Sequence, residues 1–308
     1  MNISVVIPVF NGKELLKRYL PSVLASCRNY GAGETEIVIV DDAGSDGTVE
    51  FLNTAFPTVK VLRHVENLGF SATANDGILA ARYGIVVLFN NDVEVAPDFL
   101  NFVPQNFSDP EVFAIRPGLT DTAAGDTITA PKIGGNFRLG HFEVPVGPRG
   151  ATRFAFFAGG GASAYDREKF LELGGFDELF APFYFEDVDL SYRAWKRGWK
   201  IIYEPRCLAW HQGGATIGKF HEKKFISATT ERNKCLLVWK NVTDLRLLAN
   251  HLFFFPIRIG YWFLKGVREP LVGFMLAVGL FREVMEKRRF EKLLMKKSDR
   301  DIFKLFEA

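Results

Sequence analysis

The sequence predicts an α/β fold, a doubly wound and mostly parallel sheet followed by a C-terminal helical extension. Three observations predict it. Up to about residue 92, short apolar runs rich in β-branched residues alternate with amphipathic stretches. Those runs lack a polar face, as expected of strands covered on both sides in a parallel sheet. From Phe220 onward the composition shifts to apolar and aromatic stretches that read as helices.

The strand-like runs are Ile3 to Ile7, Glu36 to Val40, Val59 to Leu62 and Ile85 to Phe89, with helices expected over Lys13 to Ser26, Gly47 to Ala55 and Ser71 to Arg82. The first run ends at Pro8, is too short for a secretory core and has no basic segment before it, so a cytoplasmic protein is expected. Roughly from Asp98 to Arg153 the chain is rich in Gly, Pro and Thr and reads as loops and short strands. That stretch suits either an acceptor-side surface or a variable insertion. Order returns at Phe154 to Ala158. A helix follows over Asp166 to Leu173, closed by Gly174-Gly175, then a second over Val188 to Lys196. Lys200 to Tyr203 and Cys207 to Trp210 read as two short strands, and Lys224 to Lys240 as a helix. The expected division is one large α/β domain over 1–240 and an amphipathic helical region over 241–308. Between Leu245 and Phe281, Asn250, His251, Arg258, Lys265 and Arg268 interrupt the apolar character. No clean stretch there is expected to reach the about 20 residues a membrane span needs.

A length of 308 residues fits one large domain with an appendage, or two modest ones. The formal charge of +2 gives no electrostatic case for nucleic acid as a partner. Cys27, Cys207 and Cys235 are odd in number and scattered, so neither a disulfide framework nor a C-x-x-C metal site is implied.

Chemistry concentrates at the ends of the strand-like runs, where ligands bind in open α/β sheets. The first run leads into Pro8-Val9-Phe10-Asn11-Gly12, without the G-x-G-x-x-G of a dinucleotide fold. After the second comes Asp41-Asp42-Ala43-Gly44-Ser45-Asp46-Gly47-Thr48. Asp41 is placed to accept from a base or ribose, while Asp46 reads as a helix cap. The fourth ends in Asn90-Asn91-Asp92, a set of hard oxygen donors for Mg or Mn that also looks like a turn. Glu186, Asp187 and Asp189 lie within four residues, flanked by aromatics, at an expected helix start. The helix dipole favours anions there, and aromatic surroundings raise a carboxylate toward the range of a general base. Asp189 reads as structural, with Arg193 as its partner. His211 follows the last strand-like run. It can supply a nitrogen to a metal at Asp92 only if the fold joins them.

Taken in order, these motifs resemble family 2 glycosyltransferases of the GT-A fold. They are Val6 to Gly12, Val40 to Thr48, Asn67-Leu68-Gly69-Phe70-Ser71-Ala72-Thr73-Ala74-Asn75-Asp76-Gly77, Leu88 to Asp92, Gly174 to Glu178, Glu186 to Arg193, and His211. They span roughly residues 3 to 240, and the branch they look most like is the bacterial rhamnosyltransferase type. The resemblance implies that Pro8, Phe10 and Asp41 line the nucleotide base, and that Asn67, Gly69, Asn75 and Asn91 lie on the nucleotide-sugar side. It implies that Asp92, the last acidic position of the family's D-x-D motif, and His211 hold a divalent metal, Mg or Mn. Asp187 would be the base and Glu186 would orient the acceptor. Asn90 departs from the motif, whose first position is Asp.

The implied activity is inverting, metal-dependent sugar transfer of the hexosyltransferase type. It runs from a nucleotide-sugar donor, dTDP-rhamnose first, to a glycan or lipid-linked acceptor of a cell-surface polysaccharide. A polyprenyl-phosphate glycosyltransferase needs no strong base, so Glu186-Asp187 argues against it. A non-catalytic glycan-binding protein would not need every motif, and a nucleotidyltransferase would carry a Gly-rich basic loop. The C-terminal face, followed by Lys and Arg, suits helices lying peripherally on the inner face of the cell membrane. Bundle packing or a homodimer interface is the alternative.

Overall fold

The computed structural model describes residues 1–121, 133–146, 153–211 and 221–307. Four strands, β1 (Ile3–Val9), β2 (Thr35–Asp41), β3 (Lys60–Arg63) and β4 (Ile85–Phe89), pair in parallel in the order β3-β2-β1-β4. Helices α1 (Lys13–Asn29), α2 (Thr48–Ala55) and α3 (Phe70–Ala80) connect them. Strand alternation sorts the core into two layers. Val6, Val38 and Val86 pack with Ala74 and Ile78 of α3, while Val5, Ile7 and Ile39 pack with Leu16, Leu20 and Leu52 of α1 and α2. Helices therefore cover both faces, as a doubly wound sheet requires. β3 is an exception to the expected double coverage: it is an edge strand, and Lys60 and Arg63 are exposed.

The stretch read as irregular holds more strand than expected. Just before it β5 (Val93–Val95), and within it β6 (Val112–Asp121), are in the main sheet, and β7 (Gly134–Arg138) and β8 (His141–Val146) form a separate hairpin. Short 3-10 turns occupy Phe99–Phe102 and Pro104–Ser108, while 122–132 and 147–152 lie outside the described residues. β9 (Ala162–Asp166) runs antiparallel between β4 and β6. The two short runs at 200–203 and 207–210 are one strand, β10 (Lys200–His211), whose register to β6 shifts between Glu204 and Leu208. Pro205 sits in that interval, where it has no ladder bond to donate.

α4 (Arg167–Glu172) is capped by Asp166, and α5 (Glu186–Lys196) begins two residues earlier than its apolar periodicity implied. Among the described residues five helices follow β10: α6 (Lys223–Asn241), α7 (Leu245–Leu264), α8 (Glu269–Gly279), α9 (Phe281–Leu294) and α10 (Asp299–Lys304). α6 and α8 cross closely because Gly273 has no side chain. A Cβ there would lie 2.3 Å from the Ala228 carbonyl oxygen. The expectation of an interrupted apolar stretch fails at α7, which is one continuous helix of 20 residues, long and apolar enough by composition to cross a membrane. Its polar residues do not break it because they point inward. Asn250 Oδ1 accepts from Gly140 N at 2.8 Å, His251 Nδ1 meets the Gly140 carbonyl at 2.6 Å, and Arg258 Nη1 meets His141 Nδ1 at 2.7 Å.

The C-terminal helices are fixed to the sheet domain by buried polar hubs. Asp299 takes Lys196 Nζ at 2.6 Å, the Tyr192 hydroxyl, and the backbone N–H groups of Thr243 and Asp244. Lys240 on α6 bridges Asp177 at 2.6 Å and Asp189 at 2.8 Å. Phe303 of α10 closes an aromatic cluster with Phe142, Phe156 and Tyr192.

Candidate active site

The register that sets β1 beside β2 brings Pro8 opposite Val40 and Val9 opposite Asp41. Pro8 is buried in the strand, and Phe10 emerges half-buried beyond it. Asp41 is fully buried. One of its oxygens accepts from Gly44 N at 3.1 Å, Arg63 Nε lies 3.6 Å away, and the other oxygen is buried without a hydrogen-bond partner. Burial raises its pKa, against the pull of Gly44 and Arg63. Asp42 is a clamp: it accepts from Leu68 N at 2.8 Å and Gly69 N at 2.9 Å, and its carbonyl lies 3.5 Å from Asn67 Nδ2. Asn67 and Gly69 thus sit over the end of β2. The N-cap position of α2 falls on Gly47 rather than Asp46, whose carboxylate one residue earlier accepts from Thr48 N and, across the loop, from Lys13 N. Asn91 occupies the space above Gly12, where a Cβ would meet its Nδ2 at 2.3 Å.

Asn75 stands apart from this group. Its oxygen accepts from Phe176 N at 2.8 Å and its nitrogen donates to the Phe176 carbonyl at 2.9 Å, fixing α3 to the Gly174-Gly175 loop. It faces a cleft of 880 Å³ shared with Asp177, Arg232, Lys240 and Lys287. These two bonds fix the Asn75 side chain and leave one N–H and one lone pair of its amide for a further partner.

The fold does join Asp92 and His211. β5 follows Asp92 directly and pairs antiparallel with β10, with Val93 opposite His211. His211 Nε2 consequently lies 3.0 Å from Asp92 Oδ1, a buried oxygen with no other group satisfying it. Among the described residues no cluster of three or more His, Cys, Asp or Glu could hold an ion. A divalent ion at this pair would therefore complete its shell from water and donor phosphate oxygens, as Mg and Mn sites do. The unsatisfied carboxylate oxygen and the adjoining imidazole fit such an ion.

Glu186 and Asp187 open α5. Before them, Tyr184 (φ 70°) and Phe185 (φ 75°) are held in the left-handed region, which costs about 1–3 kcal/mol for such a residue. Asn233, fully buried on α6, supports that backbone: its Nδ2 lies 2.8 to 3.0 Å from the carbonyls of Phe180, Phe183 and Tyr184. Asp187 accepts from Gly160 N at 3.0 Å and from Val188 N at 2.8 Å. Glu186 is buried, with one oxygen lacking any partner. Burial, then the neighbouring Asp187, pushes its carboxyl up to about 8. Burial also raises Asp187, but the N–H groups of Val188 and Gly160 and the nearby Arg116 guanidinium oppose the rise. Two adjacent carboxyls so shielded cannot both ionise cheaply, and the donors around Asp187 favour the charge there over Glu186. Asp189 turns inward to Arg193 at 2.7 Å, as its spacing indicated.

The segment Gly159-Gly160-Gly161 joins the two halves. A Cβ on Gly160 would lie 3.7 Å from both Glu186 Oε1 and the Phe70 ring, and one on Gly161 would lie 3.3 Å from the His211 ring. Asn90 N donates to the Gly161 carbonyl at 2.8 Å. The carboxyl pair and the Asp92-His211 pair thus flank one bare stretch of backbone. Arg116 and Asn233 are site residues that motif reading missed. Arg116 lies 4.2 Å over the Phe157 ring and donates to the Phe157 carbonyl. A charge ending the apolar run Val112 to Ile115 was the signal for it.

A model of the family described as "Glycosyltransferase like family 2" matches residues 1–232. A pre-mycofactocin glycosyltransferase of Mycobacterium tuberculosis is 29% identical over 215 residues, covering 68% of this chain but 42% of its own length. An N-acetylglucosaminyl-diphospho-decaprenol L-rhamnosyltransferase of the same species is 25% identical over 231 residues, covering 66% and 74%. Among solved structures, a TarS fragment of S. aureus in complex with UDP-GlcNAc aligns with a TM-score of 0.62 at 15% identity, over 100% of this chain and 90% of that one. GalNAc-T7 with UDP, GalNAc and Mn2+ aligns with a TM-score of 0.58 at 22% identity, over 78% and 48%. The sheet order, with β9 antiparallel inside a parallel set, is that of the GT-A fold. The chain belongs to glycosyltransferase family 2.

Proposed function

We propose that the protein transfers a sugar from a nucleotide-diphosphate donor to an acceptor hydroxyl with inversion at the anomeric carbon. The observation that carries this reading is that Glu186 and Asp187 meet Gly160 while the His211 ring, paired with Asp92, meets the adjoining Gly161. Asp41, through its unsatisfied oxygen, receives the base or ribose. Pro8 and Phe10 give that end an apolar wall, and Asn67, Gly69 and Asn91 lie along the donor's path. Asp92 and His211 would hold Mg or Mn, which neutralises the leaving diphosphate when bound. Asp187, kept ionised by Gly160 N, Val188 N and Arg116, takes the acceptor proton. Glu186, neutral near pH 7, can donate a hydrogen bond that orients the acceptor.

The rhamnosyltransferase relative supports dTDP-rhamnose as the first donor to test, and its name supports a lipid-linked acceptor. An intact base argues for a hydroxyl rather than a lipid phosphate as the acceptor group. The test is a panel of nucleotide-sugars, with and without Mg or Mn, followed by thermal shift and donor hydrolysis. A donor that binds and hydrolyses in the wild type, with hydrolysis independent of both Asp187 and Asp92, overturns the reading.

A further inference from the structure

α7 has its polarity reversed for a surface helix. Its polar residues Asn250, His251 and Arg258 point inward to the β7–β8 turn, and His251 also accepts from Trp239 Nε1 at 3.0 Å. Its outward side is a stripe of apolar side chains at helical spacing: Leu245, Leu252, Phe253, Ile257, Tyr261 and Leu264. These are 80, 72, 65, 53, 58 and 85% exposed. The stripe runs the full 20 residues of the helix, about 30 Å. No acidic residue occurs between Leu245 and Leu264. Exposed cations mark its two ends, Arg246 at the start and Lys265 and Arg268 just beyond the finish. α8 continues the apolar surface with Val272, Met275 and Leu276 exposed.

We infer that this face lies in the plane of an anionic membrane leaflet, with the stripe among the acyl chains and Arg246, Lys265 and Arg268 at the phosphates. The charge pattern selects this occupant: an uninterrupted apolar surface with cations at both ends matches a lipid interface. Lying flat also fits the chain path better than crossing. α8 has 11 residues, short of the about 20 a span needs, and it returns to α6 where Gly273 meets Ala228. The docked face is one helix away from the reacting centre, because α6 packs against α8 at Ala228 and holds the backbone before Glu186 through Asn233. The inference is independent of the donor and acceptor assigned above.

The experiment is flotation of the full chain with vesicles of phosphatidylcholine, with and without about one third phosphatidylglycerol. Light scattering of the same samples without lipid reports the oligomeric state. The wild type should float with the anionic vesicles and lose binding as salt is raised. Leu252→Glu with Phe253→Glu should weaken that partition at least about tenfold, while Lys265→Glu with Arg268→Glu should abolish the preference for anionic lipid. Unchanged circular dichroism and melting temperature of both variants exclude loss of fold. A wild type that never floats overturns the inference, as does a stripe variant that floats equally well. A lipid-free dimer that the Leu252→Glu, Phe253→Glu variant converts to monomer, without vesicle binding by either, would assign the face to a second copy instead.

Discussion

Glu186 and Asp187 are neighbours in the chain but are solvated differently. Asp187 has two backbone N–H donors and a guanidinium close by, whereas Glu186 has an oxygen with no partner. Asp187→Asn should reduce sugar transfer by about 10²–10⁴-fold, the usual weight of a general base, with donor affinity kept. Steady-state transfer together with donor binding by calorimetry checks this, and near-normal turnover would remove Asp187 from the mechanism. Asp92→Ala should instead raise the donor Kd in the presence of Mn and leave Kd without metal nearly unchanged. Glu186 bears on stability. Its carboxyl rises from 4.5 to about 8 on folding, so between those values the folded chain holds a proton that the unfolded chain has lost. That contribution is complete below about pH 4.5 and is lost as pH rises toward 8, by at most about 1.4 kcal/mol per pH unit. Glu186→Gln should flatten the fall in denaturant stability over this window.

Among the elements, α6 has the clearest consequence for the reaction. Asn233 satisfies carbonyls of a loop whose last two residues are in the left-handed region. Asn233→Ala would leave those carbonyls buried without donors, at a cost of about 1–3 kcal/mol. It should lower kcat more than it raises donor KM, since the loop aims the carboxyls and not the nucleotide. A change confined to KM would contradict that role. The elements also mark what the sequence could disclose. β1, β2 and β4 were legible because burial on both faces leaves them apolar runs without a polar face, broken only by residues such as Ser4 and Glu36, and β3 was placed though its edge exposure was not. β6 and β9 were not legible. Pro117 and Gly118 disguise the first, and small Ala and Ser residues form much of the second. α7 was legible as apolar but not as unbroken, because composition cannot say on which side Asn250, His251 and Arg258 fall. In the site, Asp41, Asp92, Glu186 and Asp187 were visible as acidic residues at strand or helix ends. The contact of Asp92 with His211 was not, since it depends on the pairing of β5 with β10. Nor was the engagement of Asn75 by Phe176, which links residues 101 positions apart.

Across the whole molecule, the sheet domain and the C-terminal helices share buried charge. Asp299 faces Lys196, Tyr192 and the backbone of Thr243 and Asp244 without exposure to solvent. Asp299→Ala would leave Lys196 buried without its counter-charge, and should cost about 3–5 kcal/mol in denaturant unfolding. A loss below about 1 kcal/mol would mean that water enters and that the helices are loosely attached.

The aromatic socket that receives Phe303 also sets an order of events during synthesis. Phe142, Phe156 and Tyr192 leave the ribosome long before the residue that covers them, and Asp299 follows Tyr192 by 107 positions. Until that part of the chain emerges, the three rings have one another but no cover, and the Lys196 ammonium has the Thr243 hydroxyl but no counter-charge from Asp299. The sheet domain must therefore wait, incompletely closed, for its C-terminal helices, and a nascent chain stalled before residue 299 should be the form that chaperones hold longest.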